Sequence, residues 1–180
     1  MPIQQGIETE KFGRWLTNYL KDFPYQVYYD HGDSQNDLNV FSIKGFYGDQ
    51  VHNINRLADI NIMVASKNNI VKILIEIEER PISPKKLLGD ILAILMCNKF
   101  AIRKGTNQEY FIINDRTELI IAGTLPNQGS RIERIDKIIK PRLYNLSGYS
   151  DGLRPKNIHL IFDKTILSTI DKLKQFNYAI

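Results

Sequence analysis

The sequence predicts an α/β fold with a central mixed β-sheet and helices on both faces of that sheet. Residues 57–65 and 70–78 alternate between apolar and polar side chains, and only the polar turn 66–69 separates them. Such a pair forms an antiparallel hairpin. Two short apolar segments, 119–123 and 158–162, are typical of strands buried on both faces. Because helical segments alternate with these strands, we expect both of them to join the hairpin in one mixed sheet.

Helices are predicted in four places along the chain. Residues 7–21 have apolar side chains at helical spacing, and Pro24 ends this first helix. The helix after the hairpin has Ser83 as its N-cap and Pro84 in the first helical position. The other predicted elements are helices at 131–143 and 165–176, strands at 25–29 and 38–43, and an irregular segment at 44–55.

Length and composition indicate one globular domain. The chain has 180 residues with a net charge of +4, and we expect a single domain that spans residues 1–180. Cys97 is the only cysteine, so an intrachain disulfide and a multi-cysteine zinc site are excluded. No apolar run is long enough to cross a bilayer, and the N-terminus lacks a signal-peptide pattern. We therefore expect a cytoplasmic protein without membrane contact, and its positive charge is compatible with a polyanionic partner.

Three acidic residues on the hairpin are the candidate catalytic residues. Asp59 lies on the first predicted strand, and Glu76 and Glu78 lie on the second. Because the glutamates are two positions apart, an extended strand points both side chains the same way. Three converging carboxylates repel one another and favour a hard divalent cation, so Mg²⁺ is the predicted cofactor, with Mn²⁺ as a substitute. The alternative is that these acids form the solvated face of a half-exposed hairpin.

The segment LADINIMVASKNNIVKILIEIEERPISPKKLLGDI resembles the core of the PD-(D/E)XK, or restriction-endonuclease-like, nuclease superfamily. In that superfamily an Asp begins one strand, an acid-x-Lys motif follows on the next strand, and a helix comes directly afterwards. Asp59 and Glu76 match the two acids, and Ala58 stands where Pro is common. Glu78 replaces the Lys, which is similar to the Glu-x-Glu variant of some type II restriction endonucleases.

The resemblance implies a restriction-endonuclease-like fold and a role for each of these residues. Asp59 and Glu76 would be metal ligands, and the backbone carbonyl of Ile77 would complete the inner coordination shell. Glu78 would hold a second metal ion, or it would orient the attacking water and accept its proton. The metal would lower the pKa of that water and stabilise the charge that develops on the phosphate.

Basic residues supply the candidate DNA contacts. Arg80, Lys85 and Lys86 lie around the start of the helix that follows the hairpin, where the helix N-terminus also favours anions. Arg131 and Arg134 begin a stripe of cations on the next predicted helix, which would neutralise backbone phosphates. The alternative for both groups is ordinary surface charge.

The predicted function is Mg²⁺-dependent hydrolysis of phosphodiester bonds in double-stranded DNA by an endonuclease that acts as a homodimer. A second interpretation is a catalytically inactive module that binds nucleic acid or assembles with partners and retains the nuclease fold. A third is that the chain has a different fold in which the three acids are scattered surface residues, which a wide separation of Asp59 from Glu76 would establish. The superfamily often has a further acid on its first helix, and Glu8 and Glu10 are equal candidates for it. The number of metal ions, the DNA target and the choice among restriction, repair, recombination and mobile-element roles stay open.

Overall fold

The computed structural model describes residues 6–32, 36–48, 53–104, 107–124, 137, 141 and 157–178. These residues contain three α-helices and two β-sheets. The helices are α1 (Ile7–Tyr19), α2 (Pro84–Leu95) and α3 (Ile166–Gln175). The strands are β1 (Tyr25–Tyr29), β2 (Ser42–Phe46), β3 (Arg56–Ile60), β4 (Ile62–Ser66), β5 (Val71–Glu78), β6 (Lys99–Lys104), β7 (Asn107–Ile112), β8 (Glu118–Thr124) and β9 (Ile158–Asp163).

The first sheet has five strands in the order β1-β4-β5-β8-β9. Strands β1, β4 and β5 pair antiparallel, so the predicted hairpin is confirmed as β4–β5. Strands β8 and β9 run parallel to β5, as expected for segments reached through crossover connections. The mixed sheet that the sequence predicts is therefore present.

The second sheet is a difference from the sequence prediction, which had only one. Its four strands are all antiparallel in the order β3-β2-β6-β7. Strand β2 begins at the end of the predicted strand at 38–43 and continues into the segment that we expected to be irregular. No strand was predicted where β6 and β7 lie. Phe100 and Ile102 alternate with Lys99 and Arg103 in β6, and this alternation is the sequence pattern that indicates a strand there.

The predicted strand at 57–65 is in fact two strands that belong to different sheets. Strand β3 ends at Ile60, and β4 begins at Ile62 after a bend at Asn61. In one continuous strand Ile60 and Ile62 would share a face. In the structure they lie in the cores on opposite sides of the first sheet, because the chain leaves one sheet and enters the other at Asn61.

Two apolar cores hold these layers together. One core lies between the first sheet and helices α1 and α3, and it includes Phe12, Leu16 and Leu173. The other lies between the opposite face of that sheet, helix α2 and the second sheet, and it includes Leu87 and Phe100. Helices therefore cover both faces of the first sheet, as the sequence predicts.

Two helix starts are confirmed, and one predicted helix is not described. The Ser83 hydroxyl accepts a hydrogen bond from the Lys86 backbone N–H at 3.2 Å, which caps α2 as expected. Thr165 caps α3 in the same way. The predicted helix at 131–143, with Arg131 and Arg134, lies outside the described residues apart from two isolated positions.

No helix within the described residues is long and apolar enough to cross a membrane.

Candidate functional site

A row of polar side chains crosses three adjacent strands at one edge of the first sheet. Asp30 directly follows β1, Asn61 directly precedes β4, and Glu76 lies near the end of β5. The Asp30 N–H donates to the Asn61 carbonyl at 2.9 Å, and the Asn61 N–H donates to Glu76 Oε2 at 3.2 Å. Because β1 and β5 run in the same direction, both acids lie at the carboxyl edge of the sheet, where ligands bind in open α/β folds.

Asn61 fixes the geometry of this row. Its Nδ2 lies 3.3 Å from both carboxylate oxygens of Asp30. Its Oδ1 accepts a hydrogen bond from the Ile77 backbone N–H at 2.6 Å. The amide side chain thus connects the end of β1 to β5 and holds the Asp30 carboxylate beside Glu76.

Glu78 extends the row toward helix α2. It lies two residues after Glu76 on the same face of β5, so the predicted common orientation of the two glutamates is confirmed. Glu78 forms an ion pair with Lys86 in the first turn of α2. Asp90 lies one turn further along this helix, and its Oδ2 is buried without a hydrogen-bond partner among the described residues.

Burial and mutual repulsion raise the pKa values of these acids. Burial raises the pKa of Asp30 to about 6, against the opposing effects of His31 and Asn61. Burial also raises the pKa of Glu76 well above its ordinary value, and the charges of Asp30, Glu78 and Asp90 raise it further. The pKa of Asp90 is raised mainly by burial as well. A cation at this edge would relieve the repulsion, because it stabilises the ionised form of each carboxylate.

Asp59 does not lie where the sequence analysis places it. It is on β3, paired with β2 in the second sheet, and not on the first strand of the hairpin that carries Glu76. Its side chain is 59% exposed and forms an ion pair with Arg56, whose Nε lies 3.0 Å from Asp59 Oδ1. Since Asn61 begins the hairpin two residues later, Asp59 lies beside the row, where its charge raises the pKa of Asp30.

The other predicted site residues that the structure describes lie at the end of β5 and the start of α2. Arg80 and Lys85 are exposed, and Lys86 contacts Glu78. The Ile77 side chain is buried on the opposite face, in the core beneath α1. Arg80, Lys85 and Lys86 lie between the end of β5 and the first turn of α2, and Lys86 is the one with a recorded carboxylate contact, to Glu78.

The acids of α1 are engaged within their own helix. Glu8 pairs with Lys11 at 2.7 Å, and Glu10 pairs with Arg14 at 3.0 Å. The additional acid in the row is Asp30, which comes from β1.

The described carboxylates are not arranged as a preformed metal site. Among the described parts of the chain, no group of three or more His, Cys, Asp and Glu side chains is arranged to hold one metal ion. Mg²⁺ usually keeps several waters and is bound by one or two carboxylates together with substrate phosphates. Glu76 and Glu78 lie on one face of β5, and the charge of Asp30 is close to Glu76.

Asp30, Asn61 and Asp90 are the residues that sequence reasoning missed. Asp30 ends an apolar strand, YQVYY, and an acid at the carboxyl end of a predicted strand was the available signal. Asn61 lies within an alternating segment, and nothing in that pattern marks the bend. That Asp30 and Asn61 lie beside Glu76 can be recognised only when the register of β1, β4 and β5 is known.

Comparison with known proteins adds no assignment. No protein-family model, no curated protein and no solved structure matches this chain at a significant level.

Proposed function

We propose that this protein is a Mg²⁺-dependent endonuclease that hydrolyses phosphodiester bonds of double-stranded DNA. The observation that carries the proposal is the row of Asp30, Asn61 and Glu76, continued by Glu78, at the carboxyl edge of the first sheet. Carboxylates with raised pKa values in one place are typical of functional sites. The first turn of α2, with its cations, lies directly beside them.

Each residue in the row has a distinct task in this proposal. Glu76 and Glu78 hold the metal ion, and Asp30 is the additional acid that binds it directly or through water. Asn61 positions Asp30 against β5 through its two side-chain hydrogen bonds. Bound Mg²⁺ supplies a water of lowered pKa and stabilises negative charge on the phosphate.

The start of α2 provides the phosphate contacts. Lys86 forms an ion pair with Glu78, so its ammonium group would be available to a phosphate bound at Glu78. Lys85 and Arg80 are exposed and would neutralise further phosphates. Two copies of the chain related by a two-fold axis would cut both strands of a symmetric target.

An inactive nucleic-acid-binding or assembly module is the second candidate function, and one observation favours it. The ion pair between Glu78 and Lys86 satisfies one carboxylate without a metal. In a module that does not cut DNA, the row would have a structural role through the hydrogen bonds of Asn61 to Asp30 and Glu76.

Cleavage of plasmid DNA in Mg²⁺ or Mn²⁺ tests the proposal directly. We expect the variants Glu76→Gln, Glu78→Gln and Asp30→Asn to lose at least about a hundredfold in rate, since altering even the residues behind a metal ligand costs about 10–100-fold. Asp59→Asn is the matched control, because it removes an exposed carboxylate outside the row. We expect it to retain most of the activity.

Other outcomes would change the assignment in defined ways. Cleavage that survives in Glu76→Gln would contradict the site. A loss in Asp59→Asn as large as in Glu76→Gln would restore Asp59 as a ligand in place of Asp30. No cleavage across a varied DNA panel, together with no calorimetric binding of Mg²⁺ or Mn²⁺, would establish the inactive module.

A further inference from the structure

Two carboxylates lie near Lys86, and the structure pairs its ammonium group with one of them. That partner is Glu78 on β5. The other carboxylate is Asp90, which lies four residues after Lys86 on α2. Side chains at this spacing are neighbours on one face of a helix, so Asp90 is a second possible acceptor for the same ammonium group.

Asp90 is an acid whose hydrogen-bonding capacity is not used. Its Oδ2 atom is shielded from solvent and has no hydrogen-bond donor within the described part of the chain. A buried carboxylate oxygen without a donor costs free energy, so such an atom calls for an explanation. Burial raises the pKa of Asp90, and the charge of Lys86 lowers it. Lys86 is therefore a cation close enough to act on Asp90, and its ammonium group can supply the absent donor.

The Lys86 side chain is free to move from one acid to the other. It is 53% exposed, whereas the Glu78 side chain that it contacts is 17% exposed. A lysine has a flexible four-carbon stem and three rotatable donors, so a change of side-chain rotamers needs no movement of the helix backbone. The ion pair with Glu78 is thus one of two positions that α2 allows for this ammonium group.

We propose that Asp90 is a positioning residue for Lys86, and that it takes over the ammonium group when Glu78 binds a divalent cation. The two cations repel each other at one carboxylate, so a metal ion on Glu78 displaces Lys86. Because Asp90 accepts the ammonium group, Lys86 stays beside the row, where it can contact a phosphate. The exchange rests on the proposed function, since metal binding at Glu78 releases Lys86, whereas the pair of Lys86 with Asp90 requires no cleavage.

Calorimetric binding of Mn²⁺ to four proteins tests the exchange: the wild type, Asp90→Asn, Lys86→Gln and the double variant. We expect Asp90→Asn to weaken binding about tenfold, because Lys86 then has no second acceptor and remains on Glu78. In the Lys86→Gln background the same substitution should have little effect, since no ammonium group has to move. The matched control is Asp171→Asn, at an exposed acid of α3, and it should leave the affinity unchanged.

The comparison of the two backgrounds separates positioning from simple charge. An equal loss on Asp90→Asn with and without Lys86 would mean that Asp90 acts on the metal through its own charge, and it would overturn the positioning role. Unchanged binding by Asp90→Asn in the wild-type background would overturn it as well.

A crystal structure of Glu78→Gln in a chelator tests the second position of Lys86 without any metal. We expect Lys86 Nζ to lie about 3 Å from Asp90 Oδ2, because an uncharged amide at position 78 is no longer an ion-pair partner. An ammonium group in solvent, with Asp90 Oδ2 still lacking a donor, would refute the second position.

Failure of the exchange and failure of the proposed function give different results. A wild-type protein that binds Mn²⁺ while Asp90→Asn behaves like the control would retain the metal site and lose the exchange. A wild-type protein that binds no Mn²⁺ would refute the metal site and the exchange that it drives. A contact between Lys86 and Asp90 in Glu78→Gln would then be a structural ion pair alone.

Discussion

Glu78 and Glu79 are neighbours in the sequence and have opposite surroundings in the fold. Glu78 faces α2, where it pairs with Lys86. The Glu79 carboxylate accepts hydrogen bonds from the Gly6 and Thr9 backbone N–H groups and from the Thr9 hydroxyl, each at 2.9 Å. It therefore caps the first turn of α1, whose own N-cap residue is a glycine. Alternation along β5 explains this separation, since adjacent residues of a strand point to opposite faces, and Glu79 is therefore not a member of the row.

At the scale of single residues, we predict that Asp30→Asn stabilises the protein in a pH-dependent way when a chelator is present. Burial raises the pKa of Asp30 to about 6 in the folded chain, so the folded state holds this proton more tightly than the unfolded state. Ionisation therefore costs stability above the folded pKa, and this cost disappears as the pH falls toward the unfolded value. We expect Asn to raise the free energy of unfolding by on the order of 2 kcal/mol near pH 8 and to have little effect near pH 4.

Urea denaturation at both pH values measures the effect of Asp30→Asn. Asp22→Asn, at an exposed position after α1, is the control and should change little at either pH. Destabilisation by Asp30→Asn near pH 8 would contradict this prediction. It would mean that burial does not disfavour the ionised carboxylate of Asp30.

At the scale of elements, predictions succeeded where the start of an element is encoded locally. Ser83 caps α2 as its position predicts, and α3 begins where predicted, after Thr165. A cap needs only the adjacent backbone. The division of the segment at 57–65 into two strands was not encoded locally. Its alternation suits one long strand, and only pairing with β2 on one side and β5 on the other divides it at Asn61.

Two helical glycines make the packing of elements testable. A Cβ at Gly13 of α1 would lie 2.6 Å from Cγ of Tyr29, a ring that is 1% exposed and has no room to move. A Cβ at Gly89 of α2 would meet nothing within 4 Å. We expect Gly13→Ala to destabilise the protein by about 1–3 kcal/mol through overpacking, and Gly89→Ala to stabilise it by up to about 1 kcal/mol through helix propensity.

Chemical denaturation of the two alanine variants decides whether α1 is packed this tightly on β1. Equal stabilisation by both substitutions would mean that Tyr29 can move aside. Because the chemical change is the same in two helices, a difference between the variants reports on tertiary contact alone.

At the scale of the whole molecule, the two cores share the first sheet, and the carboxylate row lies at its edge beside the second core. Ile73, Ile75 and Ile77 on β5 pack toward α1 and α3, whereas Leu74 packs toward α2. The face that carries Glu76 and Glu78 is thus continuous with the second core. Binding at the row should therefore raise the free energy of global unfolding of the protein.

We accordingly predict that Mg²⁺ stabilises the whole fold. At a concentration about a hundred times its dissociation constant, Mg²⁺ should raise Tm by about 5 °C or more. Calorimetric melting of the wild type and of Glu76→Gln, with NaCl at matched ionic strength, measures this shift. No rise specific to Mg²⁺, or an equal rise in Glu76→Gln, would place the metal elsewhere or exclude it.

The sequence by itself determined the hairpin, the starts of α2 and α3, and the common orientation of Glu76 and Glu78. Each of these follows from residues that are close in the chain, where periodicity and capping act directly. Only the tertiary structure decided that a second sheet exists, that Asp59 lies outside the row, and that Asp30 and Asn61 lie inside it. The row joins positions 15 and 31 residues apart, and the register that aligns them is set by packing against both cores rather than by any local pattern.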